Sequence, residues 1–140
     1  MGARALINAG LFSSASCHWA TPPELFNALD AEFHFTDDPC PLQPDSDGLK
    51  RPWGLRTYCN PPYGRKIGEW LKKGYGESRA GRLVVFLLPS RTDTAWFHEY
   101  CMRADDIRFL RGRLKFGGAK NTAPFPSCIV IFKGLYPGSK

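Results

Sequence analysis

The stretch Leu83-Val84-Val85-Phe86-Leu87-Leu88 constrains the fold of this chain more than any other. It is apolar throughout and shows no alternation. A half-exposed strand would alternate polar and apolar residues, because successive side chains point to opposite faces. A short unbroken run, bounded here by Arg82 and Pro89, reads as a central strand covered on both sides, as in parallel sheets. Such a sheet needs helices on both faces, so the flanking segments must supply them.

They read accordingly. Residues 1–16 form a loose amino-terminal arm, 17–134 a single domain and 135–140 a frayed tail. Thr21-Pro22-Pro23-Glu24 starts a helix: Thr21 caps, proline suits the first turn, and Glu24 completes a capping box. Leu25, Phe26 and Leu29 then share one face. Phe33 to Asp38 reads as a short strand stopped by Pro39, and residues 39–52 are a long loop rich in Pro, Asp, Ser and Gly. Asp37 and Asp45 are expected to be solvated. Arg56 to Cys59 is a strand, and residues 66–79 are a helix with Ile67, Trp70, Leu71 and Tyr75 on one stripe. Thr92 to Thr94 cap a helix that turns Trp96, Phe97, Tyr100 and Cys101 inward. Asp106 to Leu110 and Ser127 to Lys133 are the last strands, joined through the glycine-rich loop 117–126. Strands alternating with helices predict an α/β fold with a mostly parallel sheet and an antiparallel element at the last two strands.

Charge narrows the partners. The 19 lysines and arginines exceed the 13 acids, for a net charge of +6. That favours a polyanion such as nucleic acid, although solubility alone accounts for a charge of this size. Arg111, Arg113 and Lys115 stand at alternate positions. In extended form they share one face, roughly 7 Å apart, with Leu114 and Phe116 on the other. The other reading is an edge strand protected by charge. The five cysteines are odd in number and lack Cys-x-x-Cys spacing, which suits reduced thiols in a cytoplasmic protein better than disulfides or zinc. The three histidines form no metal-ligand spacing, so no metal is expected, and no apolar run is long enough for a membrane span.

The tetrapeptide Asn60-Pro61-Pro62-Tyr63 follows the strand ending at Cys59. Its prolines restrict φ and push the preceding residues to extended geometry, giving a rigid turn at the carboxyl end of a strand. The turn offers two acceptors, the Asn60 side chain and the Pro61 carbonyl, and one flat ring, Tyr63. It contains no nucleophile. That set suits a planar amino group that must be gripped and made reactive.

This tetrapeptide resembles the catalytic motif of S-adenosylmethionine-dependent amino methyltransferases. Further matches stand in one order: Trp19-Ala20-Thr21-Pro22, Phe33 to Cys40, Asp47-Gly48-Leu49 with Trp53, Asn60 to Gly64, Leu88-Pro89, Gly112-Arg113-x-x-Phe116 and Pro126-Ser127. Together they resemble the small phage-type, Dam-like DNA N6-adenine methyltransferase family over roughly residues 12–133. The resemblance implies a reduced Rossmann-like methyltransferase fold, S-adenosylmethionine as methyl donor, adenine in DNA as acceptor, and a phage or prophage origin. Two features depart from the common pattern. Asp38-Pro39-Cys40-Pro41 stands where many methyltransferases carry a glycine-rich turn. About twenty residues separate Asp38 from Asn60, too few for two β-α units, so the cofactor half is abbreviated.

The resemblance also implies roles. Asn60 and the Pro61 carbonyl accept the N–H bonds of the adenine amine, within a catalytic turn that includes Pro62 and Tyr63. Tyr63 stacks on the base, which must leave the duplex to be reached. Phe116 is a candidate for the base's other side, or packs in the core beside Leu114. Asp38 holds the cofactor's ammonium, and Thr21 and Pro22 lie against its methionine end with Asn60. Asp47 takes the cofactor's adenine amine, with Leu49 on its ring; otherwise Asp47 is an ordinary loop aspartate before glycine. From their spacing rather than the resemblance, Arg111, Arg113 and Lys115 are assigned to DNA phosphates, with Arg91 after a strand end and Lys120 in a groove-reaching loop as further DNA contacts. Methylation of cytosine N4 or of a protein glutamine uses similar chemistry, and a nucleic-acid-binding remnant without activity is a further alternative.

Overall fold

A computed structural model describes residues 19–41 and 46–134. The expected arm at 1–16 and tail at 135–140 lie outside the described residues. Strand β1 is Arg56–Cys59, β2 is Leu83–Pro89, β3 is Asp106–Phe109 and β4 is Ser127–Phe132. Helix α1 is Pro23–Phe33, α2 is Ile67–Arg79 and α3 is the short Ala95–Glu99. The sheet order is β1-β2-β4-β3. Every residue of β2 is buried, as its unbroken apolar run predicts.

Helices do cover both faces. On one, Phe26 of α1 meets Tyr58 edge-on at 5.1 Å between ring centroids, and Glu32 of α1 pairs with Arg108 of β3 at 2.7 Å. On the other, Tyr75 of α2 packs on Phe132 at 5.8 Å, and α2 crosses β2 at Gly74. A Cβ there would sit 2.3 Å from Phe86 Cζ, so only glycine permits this approach.

The sheet is mixed, which corrects the mostly parallel expectation. β1 and β2 are parallel, but β4 is antiparallel to both β2 and β3. The connection from β3 to β4 contains no helix, and a parallel return needs a crossover of about a dozen residues or more, usually helical. It follows that β1, β2 and β3 run in one direction and β4 alone is reversed. The carboxyl ends of those three strands and the start of β4 therefore share one edge.

Three local expectations also change. Phe33 to Asp38 is not a strand. Phe33 ends α1, His34 takes a left-handed conformation (φ 55°), and Phe35 N–H is drawn to Asp30 Oδ1 at 2.9 Å. What remains is a single parallel bridge between Asp37 and Thr57. Asp37 is not merely solvated: it accepts two bonds from Arg51 at 2.8 and 3.0 Å and one from Gly54 N–H at 2.8 Å, fixing the loop ahead of β1. Thr21 does not cap α1. Pro22 occupies the cap position without a side-chain bond, and the Thr21 hydroxyl is engaged elsewhere.

Candidate active site

Asn60 directly follows β1, on the shared edge of the sheet, and is 3% exposed. Its Nδ2 donates to Thr21 Oγ1 at 3.1 Å and to the Trp19 carbonyl. Both amide hydrogens are thus committed. Its Oδ1 is buried without a partner among the described residues. Thr21 Oγ1 in turn lies 2.6 Å from the Tyr58 hydroxyl. The hydroxyl expected to cap a helix serves this network instead, because Tyr58 and Asn60 converge on it from β1 and its following turn.

Asn60 borders a cleft of about 250 Å³, lined also by Thr21, Asp38, Cys40, Pro41 and Tyr58. The parallel bridge at Asp37 brings Asp38 to this edge. Burial raises the Asp38 carboxyl to about 6, and the nearby Asp37 charge adds to the effect. The Cys40 N–H, 3.1 Å from Asp38 Oδ1, and the Arg51 charge pull it back. Arg51 itself is bonded to Asp37, so Asp38 is a carboxylate without an ion-pair partner among the described residues. Burial pushes the Cys40 thiol up to about 12 and raises the Cys59 thiol and the Tyr58 phenol. All three keep their protons at neutral pH, leaving no thiolate nucleophile here.

The other side of Asn60 is aromatic and closed. Tyr63 is 5% exposed, and its hydroxyl donates to the Leu87 carbonyl at 3.1 Å. Phe125 and Phe116 meet its ring at 74° and 80°, with centroids at 5.7 and 6.3 Å. Phe116 is 2% exposed and meets Tyr63 edge-on; it does not face that ring as a parallel wall. Trp19 covers this cluster, 5.4 Å from Phe116 and 5.5 Å from Phe125. Sequence reasoning gave no role to Trp19, Tyr58 or Phe125. The signal for Trp19 was its place in the matched segment Trp19-Ala20-Thr21-Pro22; Tyr58 looked like any strand aromatic.

Other expected site residues lie apart. Asp47 accepts the Leu49 N–H at 3.0 Å and caps a short 3-10 turn, Gly48–Lys50. Neither Asp47 nor Leu49 lines the cleft, although Gly48 packs directly on the Pro39 carbonyl. Pro22 contributes its carbonyl to the Phe26 N–H and does not line the cleft. Arg91, Arg111, Arg113, Lys115 and Lys120 are exposed and make no ion pair among the described residues; Arg91 lies over the Phe125 ring at 5.7 Å. Residues 111–116 are not a strand, and Gly112 takes φ 73° between Arg111 and Arg113. The expected single face therefore reduces to Arg113 and Lys115, which are exposed, against Phe116, which is buried, and Leu114, which is half-buried. The loop still reaches the site, since Gly117 N–H bonds the Ala20 carbonyl at 2.9 Å.

A strand-end amide with spent donors and a free acceptor, beside a lone carboxylate, can accept N–H bonds and offers no nucleophile for covalent attack. The sequence model of one family, described as DNA N-6-adenine-methyltransferase (Dam), matches residues 11–136. The chain belongs to that family, and it is an enzyme that methylates adenine N6 in DNA. No curated protein and no solved structure matches it. Among the described residues no cluster of His, Cys, Asp and Glu is placed to hold a metal ion, and no helix is long and apolar enough to cross a membrane.

Proposed function

We propose that the cleft holds S-adenosylmethionine and that Asn60 and Pro61 present the adenine amine to it. One observation carries the reading: the Asn60 amide has both hydrogens committed and Oδ1 buried without a partner. A buried acceptor left in that state costs about 1–3 kcal/mol, which an incoming N–H recovers. The Pro61 carbonyl accepts no bond from a described residue and supplies the second acceptor. The adenine amine is a weak nucleophile because its lone pair is delocalised into the ring. Two acceptors fixed on one turn draw its two hydrogens out of the ring plane and localise the lone pair. The fold positions them before substrate arrives, so little reorganisation is needed in the reaction.

S-adenosylmethionine supplies, when bound, an activated methyl group on a sulfonium. Asp38 fits its ammonium, being a carboxylate that faces the cleft without a counter-charge. Thr21 and Asn60 line the cleft and flank the methionine end, and Pro22 follows Thr21 outside the lining. The cleft is smaller than the roughly 300 Å³ at which ligand pockets begin, so it suits that end alone. Asp47 and Leu49 are assigned to the adenosine end, supported by the packing of Gly48 on Pro39. We read the sheet as a reduced Rossmann-like methyltransferase sheet, supported by three co-directional strands that end at the site.

For DNA, the support is charge and placement. No Asp or Glu follows Asp106, whereas Arg111, Arg113, Lys115 and Lys120 all do. They share the edge that holds Asn60, where Arg91 also stands after β2. These residues take phosphates, and the target adenine leaves the stack to reach Asn60. Tyr63 and Phe116 stack on it once the ring cluster parts. The free, buried thiols Cys40, Cys59, Cys101 and Cys128 support a cytoplasmic setting, that of a phage-infected or bacterial cell.

The test is labelled methyl transfer to unmethylated DNA followed by nucleoside analysis. N6-methyladenine is the expected product; N4-methylcytosine, or no label in DNA, overturns the reading.

A further inference from the structure

We infer that the Trp19–Thr21 segment is a positioning element that fixes which end of the Asn60 amide faces the substrate. Asn and Gln amides have a donor end and an acceptor end of nearly the same shape, and only their partners decide the orientation. Here the Trp19 carbonyl and Thr21 Oγ1 both receive Nδ2, and a turned-over amide would lose the bond to the Trp19 carbonyl, which cannot donate, keeping at most one from the Thr21 hydroxyl. Turned over, Oδ1 would face the Trp19 carbonyl oxygen, acceptor against acceptor. The Thr21 hydroxyl keeps its place through the Tyr58 hydroxyl at 2.6 Å, and the Ala20 carbonyl is tied to Gly117 at 2.9 Å. The segment is therefore held at both ends of the lock.

This assignment rests on Asn60 gripping the adenine amine, and it moves Thr21 from a cofactor contact to a positioning residue. It also explains why this chain carries Asn and not Asp at the turn. A carboxylate at residue 60 has no hydrogen for the Trp19 carbonyl and would meet it oxygen to oxygen.

Two measurements separate the lock from the activity. The first needs no turnover: amide hydrogen exchange of the Asn60 side chain in the free protein, by nuclear magnetic resonance. Its NH2 hydrogens should exchange at least tenfold more slowly than those of the exposed Asn27 and Asn121, and Thr21→Val should speed one of them selectively. Exchange as fast as at Asn27 overturns the lock whether or not the protein methylates DNA. The second is kinetic. Thr21→Val should lower kcat about 10- to 100-fold while the cofactor Kd by calorimetry stays within threefold, with Thr21→Ser recovering most of the rate. Asn60→Asp should lose more than Thr21→Val. A Thr21→Val enzyme with normal kcat and a weakened Kd would make Thr21 a cofactor contact and defeat the inference. If the parent protein puts no label into DNA, the activity reading falls alone, and the exchange measurement still decides the lock.

Discussion

The two sides of Asn60 are built differently. Toward Asp38 the structure leaves Asn60 Oδ1 without a partner and the Asp38 carboxylate without an ion-pair partner among the described residues, beside an open cleft. Toward Tyr63 it closes four aromatic rings on one another, Trp19, Tyr63, Phe116 and Phe125, with centroids 5.4–6.3 Å apart. The first side is an open cleft; the second is closed by its own ring contacts. A preformed cleft binds a small molecule with little rearrangement. A packed ring cluster must open, and the opening draws on the binding energy of a large partner. On the proposed assignment, the contrast teaches that cofactor and DNA would meet this enzyme on unequal terms, with an open cleft for the first and a packed ring cluster for the second.

The contrast can be broken most severely at Asn60. Asn60→Ala should cut methyl transfer about 100- to 1,000-fold, in line with the loss of a preorganised transition-state contact, and leave cofactor affinity within about threefold. Single-turnover rates and calorimetry on the same sample check it; retained activity would remove Asn60 from the chemistry.

Next comes the closed side. Phe116→Ala should destabilise the fold by about 3–5 kcal/mol, the usual cost of emptying a packed aromatic site, as measured by urea unfolding. A loss below about 1 kcal/mol would show that the rings are loosely placed and that the base site is as open as the cleft.

Asp38→Asn tests the open side. Cofactor Kd should rise about 10- to 100-fold at pH 8, because the ammonium loses its counter-charge. The parent should lose cofactor affinity as pH falls through about 6, where Asp38 takes up a proton. The sign for stability is opposite. A carboxyl raised in the folded state stabilises the fold below its unfolded value, and that contribution is lost as pH rises through the folded value. Without cofactor, Asp38→Asn should therefore be the more stable protein at neutral pH, by up to a few kcal/mol. A variant that binds cofactor normally would exclude Asp38 from the site.

The smallest effect belongs to the phosphate contacts. Changing Arg113 and Lys115 together to Gln should reduce the slope of log K against log salt for duplex DNA by about 2, with cofactor affinity unchanged. An unaltered slope would assign the two cations to solvation of the loop.

Much of this was legible beforehand where local rules agree with burial. The unbroken run at Leu83 to Leu88 became the buried β2, and the stripe through Ile67, Trp70 and Leu71 became the inner face of α2. Asn60 stands on the strand-end turn that its prolines announce. Two of the misreadings share one cause, a residue with a local use claimed by a distant partner, and the third comes from a local side-chain bond. Thr21 reads as a cap until Tyr58 and Asn60 arrive from far along the chain. Asp37 reads as solvated until Arg51 folds back on it. Phe33 to Asp38 reads as a strand until the Asp30 side chain bends the chain after α1.

By itself the sequence determined the chemistry on offer: an amide and a carbonyl on a stiff turn, one central strand, and a basic carboxyl-terminal third. Those are properties of residue type and near-neighbour spacing, which no fold can change. Only the tertiary structure decided which amide atom was left free, which carboxylate was left without a counter-charge, and that the aromatic side was closed. The first two depend on which groups from distant parts of the chain come within about 3 Å, the range over which hydrogen bonds act, and the third on which distant rings pack together, with centroids 5.4–6.3 Å apart.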